Sequence, residues 1–548
     1  MVSKIFIFGL DSATFDIIFP LIREGQLPNL ARMMNEGCYG ILQSTIPPHS
    51  APAWITFMTG ENPGKHGAYG FRTYDLTKYT AFDENLVNSS LFRGKTIFDY
   101  LSKLNKKVVA FTIPLTYPPW PINGVMVAGY PTPDERKAFT YPPEIGKELE
   151  PLTDLKIDRK LASSIETQIK SYRFENDQLT KGIIKLLKKD RFDLFAFVTG
   201  ILDSAQHTLW RYRNPQDPFF DEEKHRKYGH LIEDLYIMLD ESLGKILEYL
   251  DEDTHIFIVS DHGAGPRPIK FFNTNFFLLK NGYLSLRNPV KRYINKKLRI
   301  FAEWAKEHLP IRDWVKKKLS AGLKEKISGI RSEIGSIVWR KTKAYRIPFY
   351  YPYDGINLNV KGRQPEGIVD PNNEYETLRN EIIEKLSNLN GQFGEKIILE
   401  IYKKEEIYNG PFLDRAPDII FRVNENYDLG PGFDSLIEDV PKSLLSGNSG
   451  YHRMEGIFIA KGPNIEKKGD IGKAEMLDIA PTVLYCMGLP IPKNMDGKVL
   501  DIFTEEYKRK NKIQYTDHVI KIKAAETEKV DIDEKKEIER ALKGLGYL

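Results

Sequence analysis

The sequence predicts an α/β fold, a mostly parallel central sheet with helices on both faces, on three observations. Short apolar runs recur along the chain: KIFIFGL (4–10), KVVAFTI (107–113), GVMVAG (124–129), DLFAFVTGI (193–201), HIFIVS (255–260), DIIFRV (418–423) and GIFIA (456–460). Nearly all are continuous instead of alternating, which suits strands buried on both faces of a covered parallel sheet. Helix-length amphipathic segments such as KYGHLIEDLYIMLDESLGKILEYL (227–250) separate several of them, giving the strand, helix, strand order of an α/β chain.

The chain begins MVSKIFIFGLD, whose apolar run is too short for a secretory signal and reads as the first strand. No stretch approaches the ~18 apolar residues of a membrane span. The expected location is the cytoplasm, and Cys38 and Cys486 agree with it: two thiols without CxxC spacing read as buried small apolar residues in a reducing compartment.

A chain of 548 residues exceeds the size at which one hydrophobic core stops growing, at roughly 250–300 residues. The reading places the α/β core in 1–275 and 340–505. A helical insertion or cap occupies 276–339, and a charged C-terminal helix packed on the core occupies 506–548, with Leu542, Leu545 and Leu548 as its docking residues. Within the insertion, 285–335 is strongly basic and carries Ile300, Phe301, Trp304 and Trp314 among its bases. It reads as a solvated helical cap, or as a lid that meets an anionic substrate or makes peripheral contact with an acidic membrane surface. The formal net charge of +4 gives no support to binding of a nucleic-acid duplex.

Open parallel sheets bind ligands at the carboxyl ends of their strands, so polar residues that directly follow apolar runs are the candidates. Asp11 follows IFIFGL. Asp203 and His207 follow LFAFVTGIL, and Asp261 and His262 follow HIFIVS, while His452 stands just before a strand in SGNSGYHRMEGIFIAKGP. Singly, Asp11 and Asp203 read equally well as helix N-caps and Asp261-His262 as a turn. Together, three aspartates and three histidines are the hard carboxylates and imidazoles that a two-metal site requires. Asp203 and His207 stand four apart, so a helical turn puts both on one face.

The motifs FGLDSATFDII, SAPAWITFMTGENPGKHGAYGF, GILDSAQH, VSDHGAG and YHRMEGIFIAKGPNI, followed by MLDIAPTVLYCMGLPIPKNMDGKVL, span residues 4 to about 500. With them the sequence resembles the alkaline phosphatase superfamily, especially its branch of type I phosphodiesterases, nucleotide pyrophosphatases and related phosphohydrolases or phosphomutases. The resemblance implies an alkaline phosphatase-like fold and a metal-dependent phosphohydrolase that cleaves a phosphodiester or phosphomonoester through a covalent phosphoserine. A phosphotransferase or phosphomutase on the same site is the alternative, and a non-catalytic binding protein of this fold a further one. It also implies that Asp11, Asp261 and His262 hold one divalent ion together with the nucleophile's oxygen, and Asp203, His207 and His452 a second. Zinc is placed ahead of manganese. The substrate class is a small phosphate ester or a lipid- or sugar-linked phosphate. At the last site the sequence reads G-N-S-G-Y-H where pyrophosphatases show a G-x-H-G-Y run, which also brings Asn448 and Ser449 into consideration.

The nucleophile is sought among the hydroxyls of STIPPHSAPAWITFMTG. Thr45 resembles the nucleophile of a T-x-P-x-H run, but Ile46-Pro47-Pro48 follows it, and residues before proline are driven to extended backbone, so no helix begins there. Ser50 stands at or just before the N-cap of a helix that runs to Thr59 and closes at Gly60, where free N–H groups favour an anion. Family spacing agrees, since Ser50 is nine residues before Thr59. A sulfatase signature would need arginine where Trp54 stands, and Ala53 replaces the asparagine common in nucleotide pyrophosphatases. Of the remaining histidines, His49, His66, His225, His230 and His255 read as surface or structural groups, with His66 close enough in the motif to line the site. Pro352-Tyr353-Asp354-Gly355, Lys343, Arg346 and Lys361-Gly362-Arg363 are read as added substrate contacts.

Overall fold

The structure is a computed structural model that describes residues 4–79, 82–133, 139–149, 164–287, 336–391, 394–517 and 532–545. Nine strands form the central sheet: β1 (Lys4–Leu10), β2 (Cys38–Gln43), β3 (Val108–Ile113), β4 (Gly124–Ala128), β5 (Thr140–Tyr141), β6 (Leu194–Thr199), β7 (Thr254–Val259), β8 (Glu455–Lys461) and β9 (Gly469–Glu475). Their spatial order is β9-β2-β8-β7-β1-β6-β3-β4-β5. The run from β7 to β4 is parallel throughout. β8 joins antiparallel to both of its neighbours, and β5 pairs antiparallel with β4.

Side chains of β1 show why these strands read as unbroken apolar runs. Ile5 and Ile7 enter one core and Phe6, Phe8 and Leu10 the other, so successive residues serve opposite buried faces. Helices Ile165–Lys189 and Leu231–Leu247 cover the second face. Helices α1 (Ser50–Thr59), Ile97–Lys103 and Ile479–Cys486 carry residues of the first core. Both cysteines are free and buried.

Two expectations are corrected. DIIFRV does not belong with the central strands: Ile419–Val423 lies in a separate antiparallel four-stranded sheet with Ala344–Ile347, Tyr353–Leu358 and Ile398–Lys403. The helix expected over 227–250 is two helices, Glu222–Tyr228 and Leu231–Leu247. Most of the basic segment 285–335, with all its aromatics, lies outside the described residues. A C-terminal helix, Ile532–Leu545, is present, with Ile538 and Leu542 buried in the first core and Glu539 paired with Arg72. The side chains of Leu545 and Leu548 lie outside the described residues.

Candidate metal centre and nucleophile

The site assembles at the carboxyl ends of three adjacent strands, β7, β1 and β6, as open parallel sheets favour. Asp11 directly follows β1, with its N–H bonded to Thr199 O of β6 at 3.1 Å. After β6 the chain enters helix α2 (Ile201–Arg213), which carries Asp203 in its first turn and His207 one turn on. After β7 come Ser260, Asp261 and His262. His452 sits in a short strand, Gly450–Arg453, paired antiparallel with Gly263–Pro266 so that it stands opposite Ala264.

All seven residues named from the sequence are brought together and buried. His207 Nε2 lies 3.4 Å and His452 Nε2 3.3 Å from Asp203 Oδ1, and the two imidazole nitrogens are 3.1 Å apart. On the other side, His262 Nε2 lies 3.3 Å from Asp261 Oδ2, 3.6 Å from Asp11 Oδ1 and 3.2 Å from Ser50 Oγ. Asp203 belongs to both candidate ion-holding groups, Asp203–His207–His452 and Asp11–Asp203–His262. The first of these is a set implied by the resemblance; the second has Asp203 where the resemblance places Asp261.

Imidazole tautomers test whether this cluster fits cations. His207 Nδ1 lies 2.9 Å from Gly450 O, His262 Nδ1 3.1 Å from Gly263 O, and His452 Nδ1 3.0 Å from Pro48 O. A carbonyl only accepts, so each Nδ1 carries a proton and each ring turns its Nε2 into the cluster, the usual arrangement of metal-binding histidines. Burial, then the neighbouring His452, holds His262 well below the ordinary imidazole range. Asp11 Oδ1 and Asp261 Oδ2 are buried without a hydrogen bond. Burial and the charge of Asp203 push Asp261 up to about 8, and burial with Asp261 and Asp203 raises Asp11. Lone pairs and carboxylates thus converge on a volume that wants positive charge, and the donor set fits divalent ions.

Ser50 is the first residue of α1, one position later than expected. His49 is the N-cap, its Nδ1 accepting from the Ala51 N–H, and Gly60 closes the helix at φ 66°, a left-handed conformation open to glycine. Thr45 stays out, its hydroxyl donating to Pro47 O at 2.9 Å.

Several residues at the site escaped the sequence reading. His49 is no bystander: it is buried, and its ring lies 3.9 Å from Tyr350 and 5.9 Å from His452. Tyr350 comes from the segment between two strands of the second sheet, so that unit reaches the site's edge. Trp54 Nε1 donates to Asp11 Oδ2 at 3.0 Å. No sequence pattern marks these contacts apart from Trp54 standing in the same helix as Ser50. Ser449 is occupied elsewhere, its hydroxyl accepting from Arg211 N. His66 is buried against Thr56, and His255 lies at the start of β7. His230 is exposed and His225 half-buried. Among the expected substrate contacts, Arg346 bonds Asp354, Arg363 bonds Asp418 and Lys343 bonds Glu374, so these charges are engaged within the second sheet's own unit.

The family model of the type I phosphodiesterases/nucleotide pyrophosphatases matches residues 5–435. Among solved structures, human ectonucleotide pyrophosphatase/phosphodiesterase 5 is similar at 13% identity, covering 93% of this chain and 99% of its own, with a TM-score of 0.47. Its murine counterpart in complex with AMP is similar at 12% identity, covering 92% and 100%, with a TM-score of 0.47. Phosphonoacetate hydrolase from Sinorhizobium meliloti, in complex with phosphonoformate, is similar at 17% identity, covering 88% and 95%, with a TM-score of 0.50. No curated protein matches the sequence.

Proposed function

Because the chain belongs to the type I phosphodiesterase/nucleotide pyrophosphatase family, we propose that it hydrolyses a phosphodiester or phosphomonoester through a phosphoserine formed on Ser50. The observation that carries this reading is the Ser50 hydroxyl at the start of α1, 3.2 Å from His262 Nε2 and beside the carboxylate and imidazole cluster.

Asp11, Asp261 and His262 would hold one divalent ion, and His207 and His452 a second, with Asp203 close to both. Zinc stands ahead of manganese for such a donor set. When bound, the ions neutralise phosphoryl charge and lower the pKa of the Ser50 hydroxyl.

Ser50 Oγ, its proton given up to solvent, attacks phosphorus in line; the new P–O bond forms as the bond to the departing ester oxygen breaks, and that oxygen takes a proton from water. The positive end of the α1 dipole, where Ser50 is the first helical residue, stabilises the charge of the phosphoryl oxygens. Water then attacks the phosphoserine, the P–Oγ bond breaks, and Ser50 is regenerated. A small phosphate ester fits this chemistry, with lipid- or sugar-linked phosphates in the same class. Two buried free thiols suit a reducing compartment, and we place the protein in the cytoplasm.

The test compares rates on bis-p-nitrophenyl phosphate and p-nitrophenyl phosphate with zinc- or manganese-loaded protein, Ser50→Ala being the control. Turnover of either ester that disappears in Ser50→Ala is the expected result. Full activity in Ser50→Ala would sink the mechanism.

A further inference from the structure

Trp54 is fully buried on α1, one helical turn beyond Ser50, so the two side chains leave the same face of the helix. An indole N–H can only donate, and when buried it needs an acceptor. It finds one in Asp11 Oδ2, 3.0 Å away and 43 residues earlier in the chain.

The surroundings are shaped for that bond. A Cβ at Gly9 would come within 2.9 Å of the indole ring, so the absence of a side chain on β1 lets the ring lie across the strand and reach its end. Immediately after Asp11, Ser12 takes φ 70°, a left-handed conformation uncommon outside glycine, and donates its N–H to Asp261 Oδ1 at 3.3 Å. The backbone is therefore bent sharply where the carboxylate leaves it. With Oδ2 held by Trp54, the other oxygen, Oδ1, is buried without a hydrogen bond and lies 3.6 Å from His262 Nε2.

We propose that Trp54 is a positioning residue: its N–H clamps one oxygen of Asp11, presents the other to a divalent cation, and ties that ligand to the helix that carries Ser50. This rests on the metal-dependent reading above. Rotating the Asp11 carboxylate would break the indole bond, so the carboxylate meets the ion through one defined oxygen. Because Ser50 and Trp54 share one rigid turn, the aim of the nucleophile and the placement of the ligand are set together.

The experiment measures zinc and manganese affinity by chelator competition on the full chain, for wild type, Trp54→Phe, Phe57→Leu and Gly9→Ala. Phe57→Leu removes a ring that packs 5.4 Å from Trp54 without touching its N–H, and so controls for packing. Gly9→Ala presses on the indole with its N–H intact, and on Val198 and the Phe197 carbonyl as well, so its affinity is read beside its Tm; it carries the test if Trp54→Phe does not fold. Trp54→Phe and Gly9→Ala are expected to bind ten- to a hundredfold more weakly, the usual loss on removing a partner of a metal ligand, with Phe57→Leu close to wild type. In an Asp11→Asn background, Trp54→Phe should cause no further loss. Unchanged affinity in Trp54→Phe, or an equal loss in Phe57→Leu, overturns the proposal. A wild type that binds neither ion would instead overturn the metal-dependent reading on which it stands.

Discussion

Ser50 Oγ and His262 Nε2 stand 3.2 Å apart although 212 residues separate them in sequence. The contact joins the N-terminus of α1 to the carboxyl end of β7, and so places a hydroxyl at the positive end of a helix and beside the histidine-carboxylate cluster. Replacing Ser50 by alanine removes the attacking atom while leaving the helix and its His49 cap. We expect kcat/KM to fall by about 10³-fold or more, roughly 4 kcal/mol of transition-state stabilisation, with Tm little changed. Acid-quenched wild type should show phosphate on the peptide that contains Ser50, read by mass spectrometry, and Ser50→Ala should show none.

His207 and His452 bring their Nε2 atoms within 3.1 Å, each ring's Nδ1 already donating to a carbonyl. A divalent cation held by both Nε2 atoms and Asp203 would tie α2 to the strand that carries His452. Chelator is therefore expected to lower Tm and added zinc or manganese to restore it. An ion at a hundredfold excess over its Kd stabilises the folded state by about 2.7 kcal/mol. His452→Ala should abolish most of this metal-dependent shift in differential scanning fluorimetry; an undiminished shift would place the ion elsewhere.

How much of this was legible follows from what periodicity encodes. Asp11, Asp203, Asp261 and His262 could be found because each follows an apolar run, and runs buried on both faces mark covered strands. Ser50 could be separated from Thr45 because proline restricts the residue before it. DIIFRV misled for the same physical reason that the others succeeded. Ile419 and Phe421 enter one core and Ile420 another, so a strand of the second sheet is also buried on both faces and its run is just as continuous. Local patterning reports burial but not which sheet a strand joins. His49, Trp54 and Tyr350 depend on elements distant in sequence meeting at the site, for which no spacing rule exists.

Cys38 and Cys486 test the packing of the first core, which holds both. Burial pushes the Cys38 thiol up to about 12 and that of Cys486 still further from the thiolate range. Because the thiolate is the nucleophile, neither should react with 5,5′-dithiobis(2-nitrobenzoate) at pH 8 over minutes in the native protein. Two equivalents should react at once in denaturant. Rapid labelling of one thiol under native conditions would show local opening of that part of the core.

Asp418 is a fully buried, paired carboxylate of the second sheet's unit, and it carries a pH signature. Its carboxylate is fully buried and accepts from the Arg363 guanidinium, from Leu358 N at 2.9 Å and from Tyr375 Oη at 2.9 Å, with Lys404 Nζ 3.3 Å away. Burial alone would raise the carboxyl, but Arg363 and then Lys404 outweigh it and hold Asp418 below the ordinary carboxylate range. A depressed folded value means the pair's stabilisation is present above the unfolded carboxylate pKa, about 3.9, and is lost as pH falls through the lower folded value. Arg363→Ala leaves a buried carboxylate without its main partner and should cost about 3–5 kcal/mol at pH 7. In that variant burial is no longer outweighed, so the carboxyl takes up its proton at a higher pH than in wild type, which relieves the buried charge, and the deficit against wild type should shrink from pH 7 to pH 3. Urea unfolding of both proteins at the two pH values measures it. A deficit of the same size at both would mean that Arg363 acts through packing and not through the charge of Asp418.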